Sequence, residues 1–305
     1  MTSRLYVVAT PIGNLSDLGE RARRTLLEVP LVAAEDTRVT QVLLRHVGAS
    51  ARTVRADEHS QQRAAKAVVE HLQAGHSVAL VCDAGTPAIS DPGNAIVAAA
   101  HEAGYPVVPI PGPSAVTALL SAAGLPDGPF LFEGFLPARA SSRDARLQQA
   151  AQAADQAGAT LVLYEAPHRI EATLQAIAQR FGPQRLVAIG RELSKAFEEV
   201  WRGPASKAPD WLAQRPERVK GEFVIAIARA APEPRSRQPQ ADKPLDVQAL
   251  LAGLVPELGT KRAVRLAQDL TGRGHRELYA MALALAAQDS EASKPGGAAA
   301  RSNSR

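Results

Sequence analysis

Residues 81–93 have the sequence VCDAGTPAISDPG, and this stretch decides the fold class. It joins the apolar run SVALVC (77–82) to a helical stretch over 92–103 that ends before Gly104. An almost continuously apolar run indicates a strand buried on both faces, and the glycine and prolines after it are typical of a tight connecting loop. A strand, a loop and a helix form the repeating unit of an α/β protein.

The same unit recurs on both sides of this stretch. Helical patterning, such as that over 60–74, separates short apolar runs that we interpret as strands. This alternation predicts an α/β fold with a mostly parallel sheet. The predicted strands are LYVVA (5–9), LVAA (31–34), SVALVC (77–82), YPVVPI (105–110), FLFEGF (130–135), TLVLYE (160–165), RLVAIG (185–190) and EFVIAIA (222–228).

The composition is that of an ordinary globular protein. The 305 residues include 35 Lys and Arg against 31 Asp and Glu, and this length is enough for two compact domains. The chain has one cysteine, which excludes a disulfide framework and any multi-cysteine metal site. No apolar run approaches the ~20 residues of a membrane helix, and the N-terminus lacks the apolar core of a signal peptide. We therefore expect a cytoplasmic protein with no membrane partner.

Changes in composition predict further segments after the α/β region. KRAVRLAQDL (261–270) and HRELYAMALAL (275–285) flank the turn TGRG (271–274) and resemble a helix-turn-helix. The alternative is a helical appendage that supports packing or dimer formation. The predicted segments are an N-terminal α/β domain over 1–112, a second α/β domain over 113–231, a proline-rich linker over 232–245, a helical appendage over 246–287 and a disordered tail over 288–305.

Glycine and proline cluster at the ends of four predicted strands, in ATPIGN (9–14), DAGTPAISDPG (83–93), PGPSA (111–115) and EAPHR (165–169). Open α/β sheets bind ligands beyond the carboxyl ends of their strands, so we expect a ligand site where these loops meet. The sequence contains no P-loop, GxGxxG, GxSxG or HExxH motif. Covalent and metal catalysis are therefore weakly supported, and we predict no metal.

The loop over 83–93 has two features of interest. Gly85 allows a positive φ, and the side chains of Asp83, Thr86 and Ser90 offer oxygen atoms to a small polar ligand. Asp91 offers a further carboxylate, but a proline follows it. An aspartate before a proline is typical of the start of a helix, so we interpret Asp91 as an N-terminal cap.

Eight segments carry a resemblance to a known family. They are VATPIGNLSDL (8–18), AAEDTR (33–38), VCDAGTPAISDPG (81–93), PIPGPSAVTALLSAAGLP (109–126), FEGFLP (132–137), YEAPHR (164–169), GRELSKAFEEV (190–200) and KGEFVIAI (220–227). In this order, they are similar to segments of the bacterial 16S rRNA cytidine ribose 2′-O-methyltransferases. That family belongs to the tetrapyrrole methylase-like superfamily of S-adenosylmethionine enzymes.

The resemblance implies a fold, a cofactor and a substrate. The fold is two α/β domains with S-adenosylmethionine bound in the cleft between them, commonly as a homodimer. The substrate is a cytidine in the decoding region of 16S rRNA, presented on the small ribosomal subunit. Thr86 stands where the superfamily often has an acidic residue. The implied cofactor-binding residues are Asp83, Gly85, Thr86, Pro87, Ile89, Ser114, Ala115, Tyr164 and Ala166, and the implied substrate-side residues are Pro11 and Gly13.

Methyl transfer to a hydroxyl requires a group that receives the hydroxyl proton. We take Glu165, Glu192 and His168 as catalytic candidates, since all three lie in polar loops at strand ends. The alternatives are a helix cap for Glu165, a surface imidazole for His168 and a structural ion pair of Glu192 with Lys195. Arginine and lysine at the same ends are candidate phosphate contacts, or merely a solvated ionic face. These candidates are Arg38, Arg169, Arg191 and Lys220.

Two other functions also fit the sequence. One is a methyltransferase of the same fold that acts on a porphyrinoid, and the other is a non-catalytic RNA-binding factor for ribosome assembly. EDTR (35–38), YEAPHR (164–169) and the helical appendage favour RNA over a porphyrinoid. The DAGTP loop (83–87) favours an enzyme, because a factor that only binds RNA does not need a cofactor loop.

Overall fold

The computed structural model describes residues 3–230 and 246–292. The chain divides into two compact units, Met1–Ala230 and Ala231–Arg305. The predicted linker over 232–245 and residues 293–305 of the predicted tail lie outside the described residues. Within the described part of the chain, no helix is both long enough and apolar enough to cross a membrane.

The first sheet has five parallel strands, in the order β3-β2-β4-β1-β5. Its apolar side chains face helices on both sides: α3 and α4 cover one face, and α1 and α2 cover the other. The strands are β1 (Leu5–Val8), β2 (Leu31–Ala34), β3 (Arg52–Arg55), β4 (Val78–Val81) and β5 (Val107–Ile110). The helices are α1 (Glu20–Glu28), α2 (Thr37–Val47), α3 (Gln61–Gln73) and α4 (Asn94–Glu102).

The second sheet has the order β6-β7-β10-β8-β9. Helix α5 covers one face, and α6, α7 and α8 cover the other. The strands are β6 (Phe130–Phe135), β7 (Thr160–Glu165), β8 (Leu186–Arg191), β9 (Glu199–Pro204) and β10 (Phe223–Ile227). The helices are α5 (Ala115–Ala123), α6 (Ala140–Ala157), α7 (Ile170–Phe181) and α8 (Ala208–Ala213).

The predicted α/β class and all eight predicted strands are confirmed, with two differences in detail. The mostly parallel arrangement is wrong for the second sheet, where only β6 and β7 are parallel and the other three pairs are antiparallel. Strands β3 and β9 were missed. Both are edge strands with arginine in their sequences, RTVR and EVWRGP, and charged edge strands lack the apolar run that marks a buried strand.

The second unit is helical, as predicted for residues 246–287. Helices α9 (Val247–Leu258), α10 (Thr260–Thr271) and α11 (His275–Ala292) pack around their own core, in which Leu251, Val264 and Leu278 are fully buried. Because α11 continues to Ala292, the prediction of disorder is wrong for the first residues of the tail.

We expect Leu163→Ala to destabilise the protein. Leu163 lies in β7 between two neighbouring strands, is 0% exposed, and packs in the core beneath α6 and α7. The truncation leaves a cavity that the surrounding side chains cannot fill, and should lower the free energy of unfolding by about 2–5 kcal/mol. Denaturant unfolding measures the loss. Leu27→Ala on α1, where the side chain is 42% exposed, is the matched control and should change stability by less than about 0.5 kcal/mol. Equal losses in the two variants would contradict this packing.

Candidate active site

A cavity of about 340 Å³ lies between the two sheets of the first unit. Its lining combines the loop after β4, the residues after β5, the end of β7 and the start of β10. The volume is in the range of pockets that bind a small-molecule cofactor. A ligand site where the strand-end loops meet was expected from the sequence, and this cavity is where the structure places those loops.

The loop after β4 is held in an unusual backbone conformation. Gly85 has φ +85°, and the non-glycine residues Ala88 and Ser90 both have φ +66°. The amide of Thr10, after β1, donates to the carbonyl of Gly85 at 2.8 Å, and the amide of Gly85 donates back at 3.1 Å. The Thr86 hydroxyl donates to the carbonyl of Pro113 at 3.3 Å. These contacts fix three strand-end loops against one another, and positive φ at non-glycine residues is a form of strain found at functional sites.

The structure places most of the predicted cofactor residues on the cavity wall. Pro87 is the exception. The predicted catalytic residue Glu165 also lines the cavity, whereas Glu192 and His168 do not. The predicted cofactor residues on the wall are Asp83, Gly85, Thr86, Ile89, Ser114, Ala115, Tyr164 and Ala166.

None of the predicted substrate-side residues lines this cavity. Pro11 lines a neighbouring cavity of about 230 Å³ that shares Asp83 with the first. Gly13 is exposed and packs so closely on the stem of Lys195 that a Cβ there would collide with it. Lys220 is exposed, and the side chain of Arg38 is 89% exposed with its guanidinium on Asp36.

Three acidic side chains from the first sheet meet at the cavity. The carboxylate of Glu35 accepts from the amide of Asp83, and the carboxylate of Asp83 accepts from the amide of Asp36. Burial raises the pKa of Glu35 and of Asp83 above their ordinary values. Burial, with the nearby charge of Glu35, raises the pKa of Asp91 to about 6. Desolvation disfavours the ionised form of a carboxyl group, which explains the direction of all three shifts.

Asp91 is not the helix cap that the sequence predicts. Helix α4 begins after Gly93, which has φ +137° and makes no side-chain cap. The aspartate instead lines the cavity. An aspartate followed by a proline is common at the start of a helix, and this led to the wrong prediction for Asp91. No signal in the sequence shows that the helix begins only after Gly93.

The rest of the lining is apolar and aromatic. The ring of Tyr164 contacts Phe132 and Phe135, with centroid distances of 5.0 and 5.4 Å. Burial raises the pKa of Tyr164 to about 12, so its hydroxyl stays neutral. Ile12 and Leu193 face the same space from different sheets. Such a wall suits a flat, weakly polar group such as a purine ring. Sequence reasoning also missed Phe135, Gly190, Glu222, Phe223 and Val224, whose position depends on how the two sheets meet.

Glu165 is part of a buried ion pair. Its carboxylate accepts from the amide of Ala166 at 2.7 Å, from the hydroxyl of Thr173 at 2.6 Å, and from the guanidinium of Arg169 at 2.7 Å. The side chain of Glu165 is 0% exposed and that of Arg169 is 11% exposed. Arg169 also donates to the carbonyl of Leu136. This geometry favours a structural role for both residues, and it leaves the Arg169 guanidinium poorly placed to meet a phosphate.

Glu192 also has its carboxylate engaged. It accepts from the ammonium of Lys195 and from the amide of Glu222, both at 2.9 Å. Burial alone would raise the pKa of Glu192, but these hydrogen bonds outweigh it and lower the pKa below its ordinary value. The ammonium of Lys195 also contacts the carboxylate of Glu222 at 3.0 Å. The arrangement matches the structural ion pair considered as the alternative, and His168 is an exposed side chain, as its own alternative predicted.

Two sequence families match this chain, one in each of its two compact units. The fold and cavity define an α/β protein with two sheets and a cavity of small-molecule size between them. A sequence model of the Tetrapyrrole (Corrin/Porphyrin) Methylases matches residues 4–209, and one of the RsmI C-terminal HTH domain matches residues 241–286. Among solved structures, the methyltransferase CobJ has a TM-score of 0.55 at 18% identity, covering 75% of this chain and 95% of that chain. A uroporphyrin-III C-methyl transferase from Thermus thermophilus, complexed with S-adenyl homocysteine, has a TM-score of 0.50 at 20% identity, covering 73% and 96%.

Relatives with higher identity span nearly the whole chain. The Ribosomal RNA small subunit methyltransferase I of Pseudomonas aeruginosa is 43% identical over 281 residues, which cover 92% of this chain and 96% of that protein. The protein of the same name from Mesorhizobium japonicum is also 43% identical, covering 92% of each. The chain therefore belongs to the tetrapyrrole methylases and, within them, to the family of the ribosomal RNA small subunit methyltransferases I.

We expect Glu165→Gln to lower stability. Glutamine preserves the shape of the side chain but leaves the buried guanidinium of Arg169 without its counter-charge, which should cost about 3–5 kcal/mol. Thermal or denaturant unfolding measures the change. Glu222→Gln is the control, because that carboxylate is 75% exposed and its ion pair is screened by water, so its effect should be within about 0.5 kcal/mol. A Glu165→Gln variant as stable as the parent protein would contradict the structural role.

Proposed function

We propose that the chain is an S-adenosylmethionine-dependent methyltransferase that acts on the ribosomal RNA of the small subunit, at the 2′-hydroxyl of a cytidine ribose in 16S rRNA. The observation that carries the proposal is the charge of the cavity. Five acidic residues line it, and no Lys, Arg or His stands among the described lining residues. Glu165 and Glu222 are paired with Arg169 and Lys195, so the negative charge that remains is that of Glu35, Asp83 and Asp91. A cavity of one charge sign concentrates ligands of the opposite charge, and here that ligand is a cation.

The residues of the cavity fit this cofactor. S-adenosylmethionine has a sulfonium and an ammonium group, and the carboxylates of Glu35 and Asp83 provide negative charge for them. Its adenine ring is flat, and Tyr164, Phe135 and the apolar side chains beside them provide a matching wall. The backbone around Gly85 and Thr86 approaches the same space without a bulky side chain at the glycine. When bound, the cofactor supplies an electrophilic methyl group, and the protein's task is to orient the acceptor hydroxyl and receive its proton.

RNA as the substrate class is supported by the names of the relatives and by exposed cations. Arg38 stands two residues after Asp36, beside the acidic end of the cavity, with its guanidinium in solvent. The helical unit adds a group of exposed basic side chains that could neutralise RNA phosphates. They are Lys261, Arg262, Arg265, Arg273 and Arg276. A cytoplasmic homodimer completes the proposal and rests on the family resemblance.

Methylation of assembled small ribosomal subunits tests the proposal. The purified chain should transfer labelled methyl groups from S-adenosylmethionine to small subunits that lack the modification, and mapping should place them on ribose. A porphyrinoid acceptor is the second candidate, favoured by the name of the matching family, and should remain unlabelled under the same conditions. Labelling of the porphyrinoid but not the RNA would overturn the proposal, and so would failure to label either.

We expect Arg38→Ala to weaken RNA binding but not cofactor binding. The change removes one exposed guanidinium, so the slope of log affinity for RNA against log salt concentration should fall by about 1. Binding of S-adenosylhomocysteine, measured by calorimetry, should stay the same. Arg24→Ala on α1, with a side chain 68% exposed, is the matched control and should leave both affinities unchanged. Equal effects of the two substitutions on RNA binding would count against a specific role for Arg38.

A further inference from the structure

The cavity contains one carboxylate that differs from the others in its partners. Glu35 and Asp83 each accept from a backbone amide, Glu222 contacts the ammonium of Lys195, and Glu165 is paired with a guanidinium. Among the described residues, Asp91 accepts neither from a backbone amide nor from a cation, and its one side-chain partner is the weakly donating thiol of Cys82. A carboxylate in this position is ready to accept a hydrogen bond from a ligand, because a partly buried anion with so weak a partner is costly to keep.

The loop that carries Asp91 is fixed from both sheets. Ser90 has φ +66° and lies against Gly134 of β6, where a Cβ would collide with the serine hydroxyl. Gly134 has φ +73° and sits where the pairing of β6 with β7 shifts register. On the other side, Gly93 packs on Leu80 of β4, which an added Cβ would approach to 3.0 Å. Asp91 is therefore held by the main chain, which is what a positioned proton acceptor requires.

The groups around Asp91 are acidic or neutral. Glu35 and Asp83 face it from the loops after β2 and β4, Cys82 from the end of β4, and Tyr164 from the end of β7. The Cys82 thiol is buried, and burial raises its pKa, so it is neutral and only a weak donor. Burial, with the charges of Glu35 and Asp83, raises the pKa of Asp91 to about 6, and the hydrogen bond from the Cys82 thiol opposes this shift only in part. A base of this strength is ionised at neutral pH and still accepts a proton far more readily than an ordinary aspartate.

We propose that Asp91 is the proton acceptor for the attacking ribose hydroxyl. The inference rests on the proposed function. The hydroxyl oxygen forms a new bond to the methyl carbon of the sulfonium donor, the carbon–sulfur bond breaks, and its electron pair stays on sulfur, which becomes a neutral thioether. The hydroxyl proton passes to the carboxylate of Asp91 and from there to water.

Single-turnover methylation by Asp91→Asn, with donor and small subunits at saturation, tests the assignment. The rate should fall by about 100-fold or more, the usual contribution of a general base. The limb of the parent protein's pH–rate profile near pH 6 should disappear. Affinity for S-adenosylhomocysteine, measured by calorimetry, should change by less than about threefold, because Asp91 is assigned to the acceptor hydroxyl and this product lacks the sulfonium charge. Glu102→Gln, exposed at the end of α4, is the control for loss of a negative charge and should match the parent.

Two results would overturn the assignment. One is an Asp91→Asn rate within about threefold of the parent, and the other is a loss of S-adenosylhomocysteine affinity as large as the loss of rate, which would make Asp91 a cofactor ligand. If the parent protein transfers no methyl group to small subunits, the proposed function itself fails.

The Asp91→Ala variant gives a second test of the proton acceptor. Added formate or acetate should restore part of the methylation rate of Asp91→Ala, and should restore none of the rate of Asp91→Asn. Absence of rescue would also count against the proton acceptor.

The position of Asp91 also predicts how the stability of the ligand-free protein depends on pH. Since its pKa is higher in the folded than in the unfolded chain, the folded state binds more protons between the two values, and ionisation of Asp91 opposes folding above pH 6. Asp91→Asn should therefore be more stable than the parent at pH 7.5, and the difference should vanish by pH 4. Thermal unfolding of the ligand-free protein measures this, and equal stability at pH 7.5 would overturn the buried, unpaired position on which the assignment depends.

Discussion

Ionised carboxylates are costly to bury without partners, and five acidic residues of the described part of the chain surround one cavity. Four are stabilised locally, by the amides of Asp36, Asp83 and Ala166 or by the cations of Arg169 and Lys195. What remains is a negative cavity whose other walls are apolar. A ligand with a positive charge and a flat ring would complement both the negative charge and the apolar walls of the cavity. The cost of burying these carboxylates therefore connects the fold to the proposed chemistry.

The partners of each carboxylate distinguish those with a structural role from those that are available to a ligand. Glu165 and Glu192 occupy strand ends, as a catalytic carboxylate would, yet both are committed to contacts within the protein. Glu165 joins the end of β7 to the start of α7 through Arg169 and Thr173. Lys195 joins Glu192 to Glu222, and its stem packs on Gly13, so that it connects the loops of the two sheets. Residues of this kind hold the cavity in shape.

The sequence predicted the parts of this protein that depend on local pattern. Alternating apolar runs and helices identified eight of the ten strands in residues 3–230, and the glycine- and proline-rich loops marked the cavity. What it missed depends on contacts between distant segments. The charged edge strands β3 and β9 have no apolar run, and the antiparallel course of β10 is set by its neighbours. Asp91 looked like a helix cap because only the folded backbone shows that the helix begins after Gly93. Glu165 and Arg169 are four residues apart, a spacing that fits a pair, but only the structure shows that the pair is buried.

Calorimetric titration of the full chain with S-adenosylmethionine at pH 7 and pH 5 tests the central claim most directly. Binding of the cation to a cavity of ionised carboxylates should occur at one site per chain at pH 7. At pH 5 the affinity should fall by up to about tenfold, because Asp91, with a pKa of about 6, becomes largely protonated and the cavity loses negative charge. Absence of binding at pH 7, or an affinity that is the same at both pH values, would contradict the account.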